Sequence, residues 1–313
     1  MNAMQRAPIL AALVACLAAS CGPSAPSPRA LAAYAAIDPD RPFPESSFSE
    51  IGGIRVHYRR FMLDAPSGRV ALLLHGFGAS TFSFRYTVPA LLGAGIEAIA
   101  ADWPPFGFSE KGPALEELGY ERAALFWGLV DALGIEGKLI LVGHSMGGRF
   151  ITAMEAARPD RVEALVYIAG AVNGEGRDPG ILRGLASSLA QGIAGDWERV
   201  RRILAEVYKA PVSDEEVDGY VAPFQAPGAA KAFEAFLAIE ARQRPLEPKG
   251  VKAPSLLIWG SDDAVIPLSQ GRRLLSDIEG ARLEIIEGAG HCPHETRAEE
   301  VNALLLGFLS GIH

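Results

Sequence analysis

The amino-acid sequence predicts an α/β domain, a mostly parallel sheet with helices on both faces, carrying one helical insertion. Three observations lead there. Six short, mainly apolar runs recur between residues 70 and 286. Stretches with apolar residues at helical spacing separate most of them. One run leads straight into Gly143-His144-Ser145-Met146-Gly147-Gly148, which opens a helical stretch. A strand buried on both faces reads as a continuous apolar run, and β–α alternation winds such strands into a parallel sheet between two helical layers.

The first element precedes the alternation. Ile54, Val56 and Tyr58 alternate with Arg55, His57 and Arg59, the pattern of a half-buried strand, which puts His57 on the polar face. Gly52-Gly53 in front of it signals a hairpin turn, and structure is expected from about Ser46. The buried strands follow at 70–74, 96–101, 139–142, 164–168, 255–259 and 282–286. Helices are expected at 81–93, 119–133, 146–157, 268–278 and 297–310. Residues 173–250 hold no strand pattern. Trp197, Val200, Leu204, Val207 and Tyr208 are spaced for one helical face, Phe233, Phe236 and Leu237 for another, and Pro211, Pro223, Pro227 and Pro245 punctuate the segment. This segment is read as a helical lid inserted into a core made of residues 46–172 and 251–313. No internal repeat of 20–50 residues is found.

The N-terminal segment is of a different kind. Residues 7–19 form an apolar run behind Arg6, of signal-peptide length and short for a membrane span. Ala18-Ala19-Ser20 then precede Cys21, which resembles a bacterial lipobox, where the cysteine is lipidated and becomes the mature N-terminus. Leu13-Val14-Ala15 before Cys16 fits the box more closely but leaves a very short apolar region. The Gly/Pro/Ser-rich stretch after Cys21 makes a flexible tether and favours Cys21. Residues 1–21 are therefore expected to be an export signal and 22–45 a tether. The protein is expected to be lipid-anchored to the envelope of a bacterium; simple cleavage would leave it periplasmic or secreted.

Composition sets limits on function. Hydrophobic residues at 49% supply a large core, and charged residues at 21% exclude a disordered chain. A net charge of -8 argues against a nucleic-acid partner, whose phosphates need a basic surface. Cys292 is the one cysteine of the folded domain, and its spacing from Cys16 and Cys21 is no zinc pattern. No metal or organic cofactor is expected. Nothing in the sequence indicates an oligomeric state.

The chemistry centres on Ser145. In G-x-S-x-G between a buried strand and a helix, the serine sits on a tight turn, flanking glycines let the backbones approach, and the helix N-terminus faces any developing negative charge. On these residues the chain resembles the α/β-hydrolase family, over most of residues 50–172 and 251–312. The resemblance implies that His75-Gly76-Phe77-Gly78 is the oxyanion-hole loop, with the backbone N–H groups of Phe77 and Met146 as donors. His75 is expected to hold that loop. His291, in Gly288-Ala289-Gly290-His291-Cys292-Pro293, matches the family's base, with His294 as local rival; His144 is expected to pack. The loop Gly260-Ser261-Asp262-Asp263-Ala264-Val265-Ile266-Pro267 has the family's register for its acid at Asp263, which leaves Asp262 solvated. Asp102-Trp103-Pro104-Pro105-Phe106-Gly107-Phe108-Ser109 resembles another family loop, with Pro105 where Gly is usual. Glu295 begins the last helix as in family members.

These residues predict a serine hydrolase acting on carboxylic esters of small to medium apolar substrates through an acyl-enzyme. The alternatives are a carbon–carbon bond hydrolase or perhydrolase with the same triad, a serine acyltransferase, and a non-enzymatic ligand receptor. Dehalogenases and epoxide hydrolases of this fold carry Asp at the elbow, so Ser145 disfavours them.

Overall fold

The apolar runs become the strands of one sheet. The computed structural model describes residues 38, 40–112, 122–172, 197–226, 228, 229, 232, 236 and 246–312. The leader with Cys16 and Cys21, most of the tether, and part of the insertion including Phe233 and Leu237 lie outside the described residues. In chain order the strands are β1 (Ser46–Ile51), β2 (Ile54–Phe61), β3 (Val70–Leu74), β4 (Glu97–Ala101), β5 (Leu139–His144), β6 (Val162–Ile168), β7 (Ser255–Gly260) and β8 (Arg282–Ile286). They lie side by side as β1-β2-β4-β3-β5-β6-β7-β8. The β1–β2 and β2–β4 pairs are antiparallel and the rest parallel. The hairpin turn falls where two glycines can adopt positive φ: Gly52 at 58° and Gly53 at 82°.

Eight α-helices are described: α1 (Thr87–Gly93), α2 (Arg122–Ala132), α3 (Met146–Ala157), α4 (Trp197–Tyr208), α5 (Asp214–Val221), α6 (Leu268–Asp277), the single turn α7 (Pro293–Thr296) and α8 (Ala298–Ser310). The period-2 rule sorts each strand between two cores. Leu72, Leu141, Leu165 and Trp259 face one side with Phe126 of α2, Phe150 of α3 and Leu274 of α6. Leu73, Val142, Val166 and Ile258 face the other with Leu91 of α1 and Leu305 of α8. Each such side chain taken from water contributes about 1.5–3 kcal/mol, which is why both faces of a parallel sheet need a helical cover.

Between β6 and β7 the described residues form helices and no strand, as the sequence predicts. Trp197, Val200, Leu204 and Tyr208 form the buried stripe of α4, and Val217 and Val221 that of α5. Ser213 and Glu216 make a reciprocal capping box at the start of α5.

His57 departs from its expected place. The alternation put it on the polar face of β2, but its side chain is fully buried. Two elements roof that face: the Phe43 ring lies 6.4 Å and the Phe108 ring 5.6 Å from the imidazole. Its polar atoms are satisfied within the protein. Nδ1–H donates to Asp102 Oδ2 at 2.7 Å, and the Ser46 hydroxyl donates to Nε2 at 2.8 Å. Residues 40–45 pack on the same hairpin, with Glu45 paired to Arg59 at 2.8 Å.

Phe84 tests the second core, since it is fully buried against Leu91 and the other residues of that face. Phe84→Ala is expected to cost about 3–5 kcal/mol, read as a lowered midpoint of chemical denaturation with an unchanged slope.

Candidate active site

The carboxyl ends of the parallel strands gather the predicted residues at one edge of the sheet, where open α/β sheets bind their ligands. Ser145 follows β5, the His75 loop follows β3, Asp263 follows β7 and His291 follows β8.

Ser145 has φ 50° and ψ −117°, in the positive-φ region that a residue with a Cβ seldom occupies. Packing holds it there. Its N–H donates to Ile168 O at 2.9 Å, and its carbonyl accepts from Gly148 N at 3.0 Å and Ala171 N at 2.7 Å. Glycine is required on both sides. A Cβ at Gly143 would lie 2.5 Å from the Gly147 carbonyl carbon, and one at Gly147 would lie 2.0 Å from Leu74 O. The first turn of α3 is thus pressed onto the end of β3. Met146 is its first residue, where backbone N–H groups have no partner within the helix.

The His75 loop passes directly over the serine. A Cβ at Gly76 would stand 2.9 Å from both Ser145 Cβ and His144 Nδ1. His75 holds this loop, as expected: Nδ1–H donates to Gly76 O at 2.7 Å, and Trp103 Nε1–H donates to His75 O at 2.9 Å. Its ring stacks on Trp103 with centroids 5.4 Å apart. Burial pushes the imidazole down to about 4, so it stays neutral and keeps the tautomer that donates to Gly76.

Asp263 and His291 meet. Asp263 Oδ2 accepts from His291 Nδ1–H at 2.8 Å, while Oδ1 accepts the N–H groups of Val265 and Ile266 at 2.8 Å each. With Nδ1 donating, Nε2 is left as the basic nitrogen. Both residues are buried, whereas Asp262 is exposed. The backbone of His291 is held twice, its N–H by Val207 O at 2.9 Å and its carbonyl by His144 Nε2–H at 3.1 Å. His144 therefore does more than pack. Burial and the neighbouring His294 and His291 keep it neutral. His294, the local rival as base, has a fully buried ring against Phe84 and His144, and burial pushes it down to about 3. It is not hydrogen-bonded to Asp263.

Sequence reasoning missed the partners of Asp102. This buried carboxylate accepts from His57 Nδ1–H, Thr81 N–H at 2.6 Å and Phe108 N–H at 2.8 Å, and so fixes the loop carrying Trp103 and Phe106. It missed the place of Glu295 as well, which lies in α7 rather than at the start of the last helix, and is buried. Phe77, next to Gly76 in the loop over the serine, joins an aromatic cluster. Phe77 and Phe106 rings lie 5.3 Å apart, and Phe236 of the insertion stands 5.8 Å from Phe77 and 5.3 Å from Phe106. Among the described residues no group of three or more His, Cys, Asp or Glu side chains is arranged to hold a metal.

Known proteins resemble this chain. The profile of the alpha/beta hydrolase family matches residues 71–304. An uncharacterized hydrolase of Bacillus subtilis (strain 168), YugF, is 31% identical over 83% of this chain and 96% of its own length. A 2-hydroxy-6-oxononadienedioate/2-hydroxy-6-oxononatrienedioate hydrolase of Paraburkholderia phymatum is 32% identical over 82% of this chain and 91% of its own. Among solved structures, a mutant of the meta-cleavage product hydrolase CumD from Pseudomonas fluorescens IP01, complexed with acetates, superposes with a TM-score of 0.71 at 25% identity. The superposition covers 85% of this chain and 98% of that one.

Asp263→Asn keeps the shape of the acid but reverses one of its hydrogen-bonding atoms, so that His291 loses the tautomer it needs. The expected result is a fall in kcat of about 10⁴-fold with an unchanged circular dichroism spectrum; a loss below tenfold would mean that another group orients His291.

Proposed function

The chain belongs to the alpha/beta hydrolase family, and on that premise we propose that it cleaves a bond to a carbonyl carbon through an acyl intermediate on Ser145. The observation that carries this reading is the Asp263–His291 hydrogen bond at 2.8 Å, which leaves Nε2 basic in a loop beside the serine elbow. His291 takes the Ser145 proton as the oxygen attacks. The carbonyl oxygen becomes negative and is met by the N–H groups of Phe77 and Met146, at the N-terminus of α3. His291 then gives its proton to the leaving group. A water, activated by the same imidazole, releases the acid and restores the serine.

The bond cleaved is the finer matter. Ester hydrolysis is what the residues alone suggest, and carbon–carbon hydrolysis uses the same groups. The relatives favour carbon–carbon cleavage, because several named curated relatives are hydrolases of 2-hydroxy-6-oxo dienoates. In such a cleavage the leaving carbon takes the bonding pair and needs conjugation to accept it; a 2-hydroxy-6-oxo dienoate supplies it once its enol proton has moved to C5, because the pair then delocalises through C3–C4 onto the 2-oxo oxygen, which takes the proton from His291. We therefore favour a 2-hydroxy-6-oxo-diene-type substrate whose apolar end lies against Phe77, Phe106 and Phe236. Carboxylic esters with an apolar acyl group are the second reading, supported by the same aromatic wall. The insertion, as the source of Phe236 and of Phe224, whose ring lies 6.3 Å from that of Phe106, serves as the lid over this wall.

Two assays separate the readings. Hydrolysis of 2-hydroxy-6-oxo-6-phenylhexa-2,4-dienoate is followed by loss of its visible absorbance, and p-nitrophenyl esters of increasing acyl length by release of nitrophenolate. Turnover of the dienoate with kcat/KM at least about 10²-fold above the best ester supports carbon–carbon hydrolysis; the reverse order supports the esterase. Ser145→Ala is expected to abolish either, and turnover that survives it would overturn the mechanism.

The N-terminal segment belongs to the same proposal. Residues 1–21 export the enzyme and Cys21 anchors it to the envelope. The full-length chain is then expected in the membrane fraction of a bacterial host, and Cys21→Ala in the soluble fraction; equal partitioning of the two would remove Cys21 as the anchor.

A further inference from the structure

A second buried carboxylate, unused by the chemistry above, sits four residues after His291. The Glu295 side chain is fully buried. An ionised carboxylate only accepts hydrogen bonds, and burying one unpaired is costly. Its donors come from two other parts of the fold. Tyr208, the last residue of α4, donates its hydroxyl to Oε2 at 2.7 Å. Tyr220 of α5 donates to Oε1 at 2.5 Å. The third donor is Arg85, just before α1, through Nη1. Arg85 reaches on with Nη2 to Glu216 of α5 at 2.9 Å, and Glu216 is the residue that closes the capping box of that helix. Three charges and two phenols from the core and from both described helices of the insertion thus share one buried site.

The same end of α4 touches the catalytic loop through its backbone. Val207 O accepts the His291 N–H at 2.9 Å. The seat is tight: a Cβ at Gly290 would lie 2.4 Å from Val207 O and 2.8 Å from the Tyr208 carbonyl carbon. The residue that holds His291 by its main chain is followed directly by the one that grips Glu295 by its side chain.

We propose that Glu295 is a positioning residue for His291, acting through Tyr208 and Tyr220 to lock the α4–α5 pair of the insertion against the catalytic loop. The insertion then has two duties. Its aromatic residues shape the substrate wall, and the end of α4 forms part of the mounting of the base. Glu295 makes no contact with the reacting atoms in this scheme. Its effect is on the aim of the imidazole, to which proton transfer is sensitive. The catalytic half of this inference rests on the proposed role of His291.

The test compares the wild type with Tyr208→Phe, Glu295→Gln and the double variant, with Glu216→Gln as a control that leaves the Tyr208 contact in place. Hydrogen–deuterium exchange at the His291 amide is the primary readout, since it needs no substrate. Tyr208→Phe and Glu295→Gln are each expected to speed that exchange about tenfold or more, with the double variant close to either single one. With whichever substrate Ser145 turns over, kcat falls about tenfold while KM holds, because the wall is untouched. Unchanged exchange at His291 in the folded Tyr208→Phe protein would overturn the proposal. So would a loss confined to KM, or full additivity in the double variant. A wild type without Ser145-dependent turnover would count against the proposed function alone, and the exchange data would still decide the clamp.

Discussion

The close approach of α3 to the ends of β3 and β5 is the constraint on which the site rests. Gly147 lies where a Cβ would meet Leu74 O at 2.0 Å, and Gly143 where one would meet Gly147 itself. Two missing side chains allow the helix to start one residue beyond Ser145, and that start forces the serine to φ 50°. Backbone strain of this kind costs about 1–3 kcal/mol, and the bonds from Ile168, Gly148 and Ala171 hold it in place. The same approach sets the N-terminus of α3, beginning at Met146, beside the serine. In the proposed mechanism, nucleophile and charge stabilisation therefore come from a single packing decision.

Around that elbow the histidines divide by their surroundings. His75, His144 and His294 are buried with no carboxylate accepting from their rings, and burial holds all three below the usual imidazole range. Neutral, they serve as fixed donors and packing surfaces: His75 for the carbonyl of Gly76, His144 for that of His291. His291 alone among the histidines beside the elbow has a carboxylate, Asp263, on Nδ1, and that bond is the ground on which we propose it as the base. His57 also meets a carboxylate, Asp102, but its other nitrogen is taken by Ser46 of β1. The two Ser–His–Asp sets differ in place: only Ser145 stands on the strained elbow at the carboxyl edge of the sheet.

The buried acids organise the rest. Asp102 joins the second strand to two loops near the elbow, and Glu295 joins the insertion to the loop of the base. Both sit close to the sequence elements that carry chemistry, and both are satisfied by residues far away along the chain. Asp102 fixes the loop that carries Trp103 and Phe106, and Glu295 ties α4 and α5 to the loop of His291.

Much of this was legible in one sequence. The continuous apolar runs gave the buried strands because both faces of a parallel sheet exclude water. Ser145 is singled out by its strand–turn–helix motif, and His291 and Asp263 by the resemblance of their loops to those of the family. The alternation of β2 misplaced His57, since a period of two reports which side a residue faces and not whether another segment covers that side. The burial of Glu295, its bonds to Arg85, Tyr208 and Tyr220, and the hold of His144 and Val207 on His291 were decided by tertiary structure alone. A local motif encodes the turn it makes. A hydrogen bond between residues tens to hundreds of positions apart leaves no pattern in either neighbourhood, and exists only once the sheet and the insertion have brought the two together.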